Sequence, residues 1–206
     1  MRRADASSAA STFTLDATAA VSISADHRPD WLTVAAVAAI VHVIVSVTHE
    51  GVGHGGACLL TGCTPQLMTT MSFQGDQRAL SSVGVRLIAA GGTIANLLIA
   101  SVTIWLLRRR RHAAPGAAWF FLWLLATVNL LQACGYLFYS GVTNIGDWAA
   151  IVRGLRPAWL WRVALAAIGG YAYWRSINWA MRQLGQRLHA CRLSRGGLSG
   201  ACRESP

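Results

Sequence analysis

Lysine is absent from this chain, and its whole formal charge of +10 rests on arginine. Acidic residues are nearly as scarce: between Trp31 and Arg203 there are only Glu50, Asp76 and Asp147. Charged residues make up 13% of the sequence against 54% hydrophobic, with a mean hydropathy of +0.41. So little charge excludes an ordinary soluble domain, in which about a quarter of residues are charged. A basic balance can signal nucleic acid, but these arginines stand beside long apolar blocks, where they orient helices toward the cytoplasm. No nucleic-acid partner is therefore expected. The five cysteines include no CxxC pair and no zinc-finger spacing. Cys58 and Cys63 are close enough in sequence to approach each other near a membrane surface, but the expectation is small buried thiols. Residues 1–30 lack an apolar core, because Asp16 and Asp26 interrupt it. That excludes a good signal peptide and reads as a flexible tail.

What is present is a series of apolar blocks. They begin at Trp31 with "WLTVAAVAAIVHVIVSVT" and continue over Val83–Leu107, Pro115–Tyr139 and Pro157–Trp174. Each is close to the ~20 residues that a helix needs to cross the hydrocarbon core. The fold class expected is all-α: a polytopic membrane bundle of about four transmembrane helices, its domain spanning 31–180, with a basic cytoplasmic tail over 181–206. Between the first two spans, "TPQLMTTMSFQGD" (64–76) reads either as a short strand or hairpin or as an unstructured loop. The run "RRRRH" (108–112) and the arginines from Arg175 to Arg203 set the orientation. Both termini fall inside, and the segments 61–82 and 140–156 face outward. Arginine in place of lysine, with abundant alanine, suggests a GC-rich bacterial genome and hence a bacterial inner membrane. Nothing in the sequence sets an oligomeric state.

Glu50 and Asp147 each lie at the end of an apolar span, and ionisable groups at membrane depth usually pair, bind ions or do chemistry. Glu50 stands in "THEGVGHGG" between His49 and His54; Asp147 stands in "GVTNIGDWAAI". The first and third spans run in the same direction, so these four residues emerge on one side of the membrane. Two imidazoles and a carboxylate make a three-ligand zinc site with an open fourth position. There a zinc-bound water is activated, with Glu50 as the base. His49 and His54 are five apart, however, and in a regular helix that step turns about 140°. A π-bulge makes an i,i+5 pair same-face neighbours, and Gly51 and Gly53 ease such an irregularity. The alternative is two separate interfacial histidines at a frayed helix end. His42, seven residues before His49, reads as a packed histidine within the bundle. Asn129 and Gln132 read as interhelical hydrogen-bond partners, and Arg86 and Arg162 as snorkelling to the interface.

Together these residues resemble the site-2 protease family of intramembrane zinc metalloproteases. That family carries His-Glu-x-x-His followed by small residues, a Leu-rich stretch and a Gly; here His54 is followed by "GGACLLTG", so one residue is inserted between Glu50 and His54. The family's extended hairpin corresponds to 64–76. Its Gly-Pro-x-x-Asn type motif corresponds to "AAGGTIANLL", with Gly91, Gly92 and Asn96 present and Thr93 where proline is common. Its Asp ligand corresponds to Asp147 in "TNIGDW", with Asn144 nearby and Trp148 directly after the Asp. The resemblance covers roughly residues 31–155. It implies zinc held by His49, His54 and Asp147, catalysis by Glu50, and substrate-binding or supporting roles for Asn96 and Asn144. The activity implied is hydrolysis of peptide bonds in membrane-embedded or membrane-proximal proteins. The other readings are a catalytically inactive protease-like module that binds a membrane partner and, more remotely, a metal transporter.

Overall fold

The computed structural model describes residues 30–110 and 116–201. The chain divides at Asp30/Trp31, so the tail expected over 1–30 lies, apart from Asp30, outside the described residues. From Trp31 onward the order is α1 (Trp31–Val47), a π-helical segment (Thr48–Gly55), α2 (Gly56–Thr61), β1 (Thr64–Met68) and β2 (Phe73–Asp76). Then follow α3 (Ser82–Arg109), α4 (Ala117–Thr143), α5 (Asp147–Val152) and α6 (Ala158–Ala201). Among the described residues, three helical stretches are long and apolar enough to cross a membrane: Trp31–Thr61, Ser82–Arg109 and Ala117–Thr143. The fourth expected span lies within α6, which is long but not among them. Arg162 and Arg175 dilute its apolar run, and the helix continues through most of the segment expected as a basic tail.

Local chemistry accounts for most boundaries. Ser81 caps α3, its hydroxyl accepting from the Gly84 N–H at 3.2 Å. Arg108 and Arg109 sit in the last turn of α3, complementing the negative end of the helix dipole. The α4 helix ends where Asn144 takes the left-handed conformation at φ 60°. Arg162 of α6 then donates to the freed carbonyls of Gly141 (3.2 Å) and Val142 (2.8 Å). The expected snorkelling arginine thus serves as a helix cap. Arg86 likewise donates to the Arg153 carbonyl at 3.2 Å.

The segment 64–76 forms the antiparallel hairpin β1–β2, with Thr64 opposite Asp76, Met68 opposite Phe73 and a bulge between Pro65 and Leu67. Its turn is closed by Thr69, whose N–H donates to the Ser72 carbonyl and whose hydroxyl accepts from the Ser72 N–H, both at 2.9 Å. Cys58 and Cys63 are not free thiols: they form a disulfide joining α2 to the start of β1. Gly62, at φ 81°, reverses the chain between them, bringing the Cys63 N–H to the Cys58 carbonyl at 2.9 Å. Gly75 of β2 lies against the bridge, where a Cβ would come within 2.6 Å of the Cys63 sulfur. Cys134 is the buried thiol expected, in contact with the Ser176 hydroxyl.

Two other expectations fail. His42 is exposed on the outer face of α1, so it plays no part in the bundle interior. Asn129 is buried but donates to the Leu125 carbonyl of its own helix at 2.8 Å, one turn back, and bridges no pair of helices.

Candidate metal centre

The π-helical segment answers the spacing problem. A ladder of i→i+5 hydrogen bonds sets residues five apart one turn above each other, and here it extends over Thr48–Gly55 rather than a single bulged residue. At its start the Thr48 hydroxyl donates to the Ile44 (2.7 Å) and Val45 (3.0 Å) carbonyls, occupying acceptors near the point where the ladder changes. Glycine makes the widened turn packable. A Cβ on Gly53 would lie 2.5 Å from the Gly92 Cα, and one on Gly91 would lie 2.3 Å from the Gly53 carbonyl oxygen. The π segment and α3 therefore meet backbone to backbone. A Cβ on Gly92 would stand 2.5 Å from His49 Nε2 and 2.7 Å from His54 Nε2, in space the absent side chain leaves open.

Beside that space three donor atoms come together. His49 Nε2 and His54 Nε2 are 3.3 Å apart, and Asp147 Oδ2 lies 3.5 Å from the first and 3.4 Å from the second. The near-equilateral triangle matches the edge of a tetrahedron with ~2.0–2.2 Å bonds, which is ~3.3–3.6 Å. Charge-assisted imidazole–carboxylate hydrogen bonds are shorter, ~2.7–2.9 Å. Among the described residues these three form the group that could hold a metal ion.

Hydrogen bonding behind the triangle fits the same reading. His54 Nδ1 lies 2.7 Å from the Ile88 carbonyl, which can only accept, so Nδ1 carries the proton and a neutral ring presents a lone pair at Nε2. Asp147 Oδ2 is buried and accepts no hydrogen bond. A lone pair and an anionic oxygen aimed at one point call for a cation between them. His49 Nδ1 faces the amide of Asn96 at 3.1 Å, through Nδ2 as placed, while Asn96 Oδ1 is buried without a partner. Turning that amide over keeps its shape and lets Oδ1 accept from Nδ1–H, leaving the His49 Nε2 lone pair free as well. Burial works against ionisation of Asp147, but when the two imidazoles beside it are protonated their hydrogen bonds and charge prevail and hold its carboxyl at about 2; with the rings neutral, a bound cation would take that part. It is a carboxylate throughout the physiological range.

Glu50 is buried beside the triangle, near the Phe73 backbone of β2. Glu50, His54 and Asp147 line an open cavity of about 420 Å³, whose walls include Ser72 and Phe73 of the hairpin side, Ile88 of α3, and Tyr136 of α4. The Tyr136 ring lies 4.8 Å from the His49 ring, centroid to centroid; nothing in the sequence singled it out, since a tyrosine within an apolar span is unremarkable. Asn144 stands apart from the triangle, exposed at the end of α4 and lining a separate pocket with Arg153 and Arg162. Comparison of the chain with known protein families, curated proteins and solved structures finds no match.

Proposed function

We propose that this chain is a membrane-embedded zinc metallopeptidase that hydrolyses peptide bonds of membrane-embedded or membrane-proximal proteins. The observation that carries the proposal is the donor triangle beside a buried glutamate at the wall of an open cavity. His49 Nε2, His54 Nε2 and Asp147 Oδ2 would hold the ion, leaving the cavity side open. When bound, zinc supplies Lewis acidity and lowers the pKa of a coordinated water toward neutrality. Glu50 takes up a proton at its carboxylate and returns it to the departing amine. The hairpin wall of the cavity receives the substrate segment in extended form.

Two independent features support an outward-facing site. The disulfide belongs to the site end of the bundle, and such bonds persist in oxidising compartments. Arg108–Arg110 lie at the opposite end of α3, about 25 Å from Gly92 at 1.5 Å per residue, where cytoplasmic arginines belong. In this orientation α6 returns the chain across the membrane and both termini are cytoplasmic.

The test is metal analysis of the purified protein together with cleavage of a co-expressed membrane substrate. One zinc per chain is expected, lost in His49→Ala, His54→Ala and Asp147→Ala, while Glu50→Gln keeps the metal and stops cleavage. A chain that binds no zinc would be a protease-like partner-binding module instead, and unchanged cleavage by Glu50→Gln would remove that residue as the base.

A further inference from the structure

The three donors are not held alike. His49 and His54 belong to one continuous helical rod and are fixed relative to each other by its backbone. Asp147 comes from α5, a six-residue helix too short to be stable alone. The chain enters α5 through Asn144 at φ 60° and Gly146 at φ 94°. The buried oxygen of Asp147 that completes the triangle accepts no hydrogen bond. Its position must therefore be set through the backbone of α5, by whatever ties that helix to its neighbours.

One partly buried hydrogen bond to a neighbouring helix is available. The Trp148 indole N–H donates to the Thr93 hydroxyl at 3.0 Å, and Thr93 is 2% exposed. Trp148 follows Asp147 directly, and Thr93 follows Gly92, the residue whose missing side chain leaves room for both histidine nitrogens. The bond thus links the separately held third of the triangle to the part of α3 against which the other two thirds are packed. The tie at the other end of α5, from Arg86 to the Arg153 carbonyl, is exposed and further from the donor.

We propose that the Trp148–Thr93 hydrogen bond is a positioning contact that sets Asp147 at ligand distance and so tunes the metal affinity of the site. This rests on the metal reading above. Trp148 and Thr93 touch neither metal nor substrate; they act through the placement of Asp147.

The experiment is competitive titration of the full-length chain in detergent with Co²⁺ and Zn²⁺, with the Co²⁺ visible spectrum as a report on the ligand set. Trp148→Phe keeps the ring body and removes the donor; Thr93→Val keeps the volume and removes the acceptor. Each is expected to weaken metal binding about tenfold, as loss of partners behind metal ligands commonly does, and to alter the Co²⁺ spectrum. The double variant should bind no more weakly than about twofold below the worse single one, because both remove the same bond. Thr93→Ser, which restores the hydroxyl, should stay within about twofold of the parent. A purely structural role would lower the unfolding temperature of the metal-free chain and leave affinity and spectrum unmoved; that result overturns the proposal, as does strict additivity of the two variants. If Trp148→Phe does not fold, Thr93→Val and Thr93→Ser decide it alone. A parent chain that binds neither metal refutes the metal reading itself, whereas a parent that binds both and a Thr93→Val variant indistinguishable from it refutes only this inference.

Discussion

Among the described residues, two close helix contacts are made through glycine, and they have opposite consequences. Where the π segment meets α3, Gly53, Gly91 and Gly92 bring the backbones together and the space beside them is taken by imidazole nitrogens. Where α4 meets α6, a Cβ on Gly141 would lie 2.5 Å from the Ala166 nitrogen and one on Gly169 2.3 Å from the Phe138 nitrogen. That second contact is small-residue packing of the ordinary membrane kind, where close approach replaces the hydrophobic drive that lipid does not supply. The same device builds a scaffold in one place and opens room for a site in the other. The difference lies in what stands next to the glycine: backbone and apolar side chains in one case, ring nitrogens with a buried carboxylate in the other.

The comparison can be broken by filling each contact in turn. Gly92→Ala should have the largest effect on the site, reducing metal affinity at least a hundredfold because the new methyl abuts both histidine nitrogens; isothermal titration with zinc measures it. Gly169→Ala should do the reverse. Overpacking there should cost about 1–3 kcal/mol of stability, seen as a lower unfolding temperature, with metal affinity unchanged within about twofold. A loss of metal in Gly169→Ala would show that the two contacts are not separable. Asn96→Ala, behind His49, should weaken the metal about 10–100-fold with little change in thermal stability.

The smallest effect concerns pH. Because the Asp147 carboxyl is depressed to about 2 from 3.8, its charge, and whatever stability that charge contributes, is fully present above ~4 and is lost only as pH falls through 2. The factor by which Asp147→Asn weakens metal binding should therefore be constant from pH 5 to 8, and proton competition in that range should come from the other ligands. A factor that shrinks as pH falls toward 5 would mean that Asp147 titrates within that range.

Much of the site could be read before any coordinates, for a reason specific to membranes. With three acids in the stretch from Trp31 to Arg203, each one at a span end stands out against an apolar background. His49, Glu50, His54 and Asp147 were found that way, and the structure brings the two histidines and Asp147 to one point. The hairpin was half-legible, since its residues fit a loop equally well. The disulfide was missed: five residues of separation say little until Gly62 is known to turn the chain back. Asn129 was misread because an asparagine inside an apolar helix can bond to its own turn as readily as to a neighbour.

Composition and spacing alone determined three of the four expected apolar spans, the end at which the ionisable residues gather, and the residue types able to hold a metal. Tertiary structure decided the rest. It chose a full π segment over a frayed end, because Gly53 against Gly91 and Gly92 gives the widened turn a surface to pack on. It also joined Trp148 to Thr93, two of the positions where the chain departs from the motif it resembles. They lie 55 residues apart, and only the docking of α5 on α3 makes them one contact.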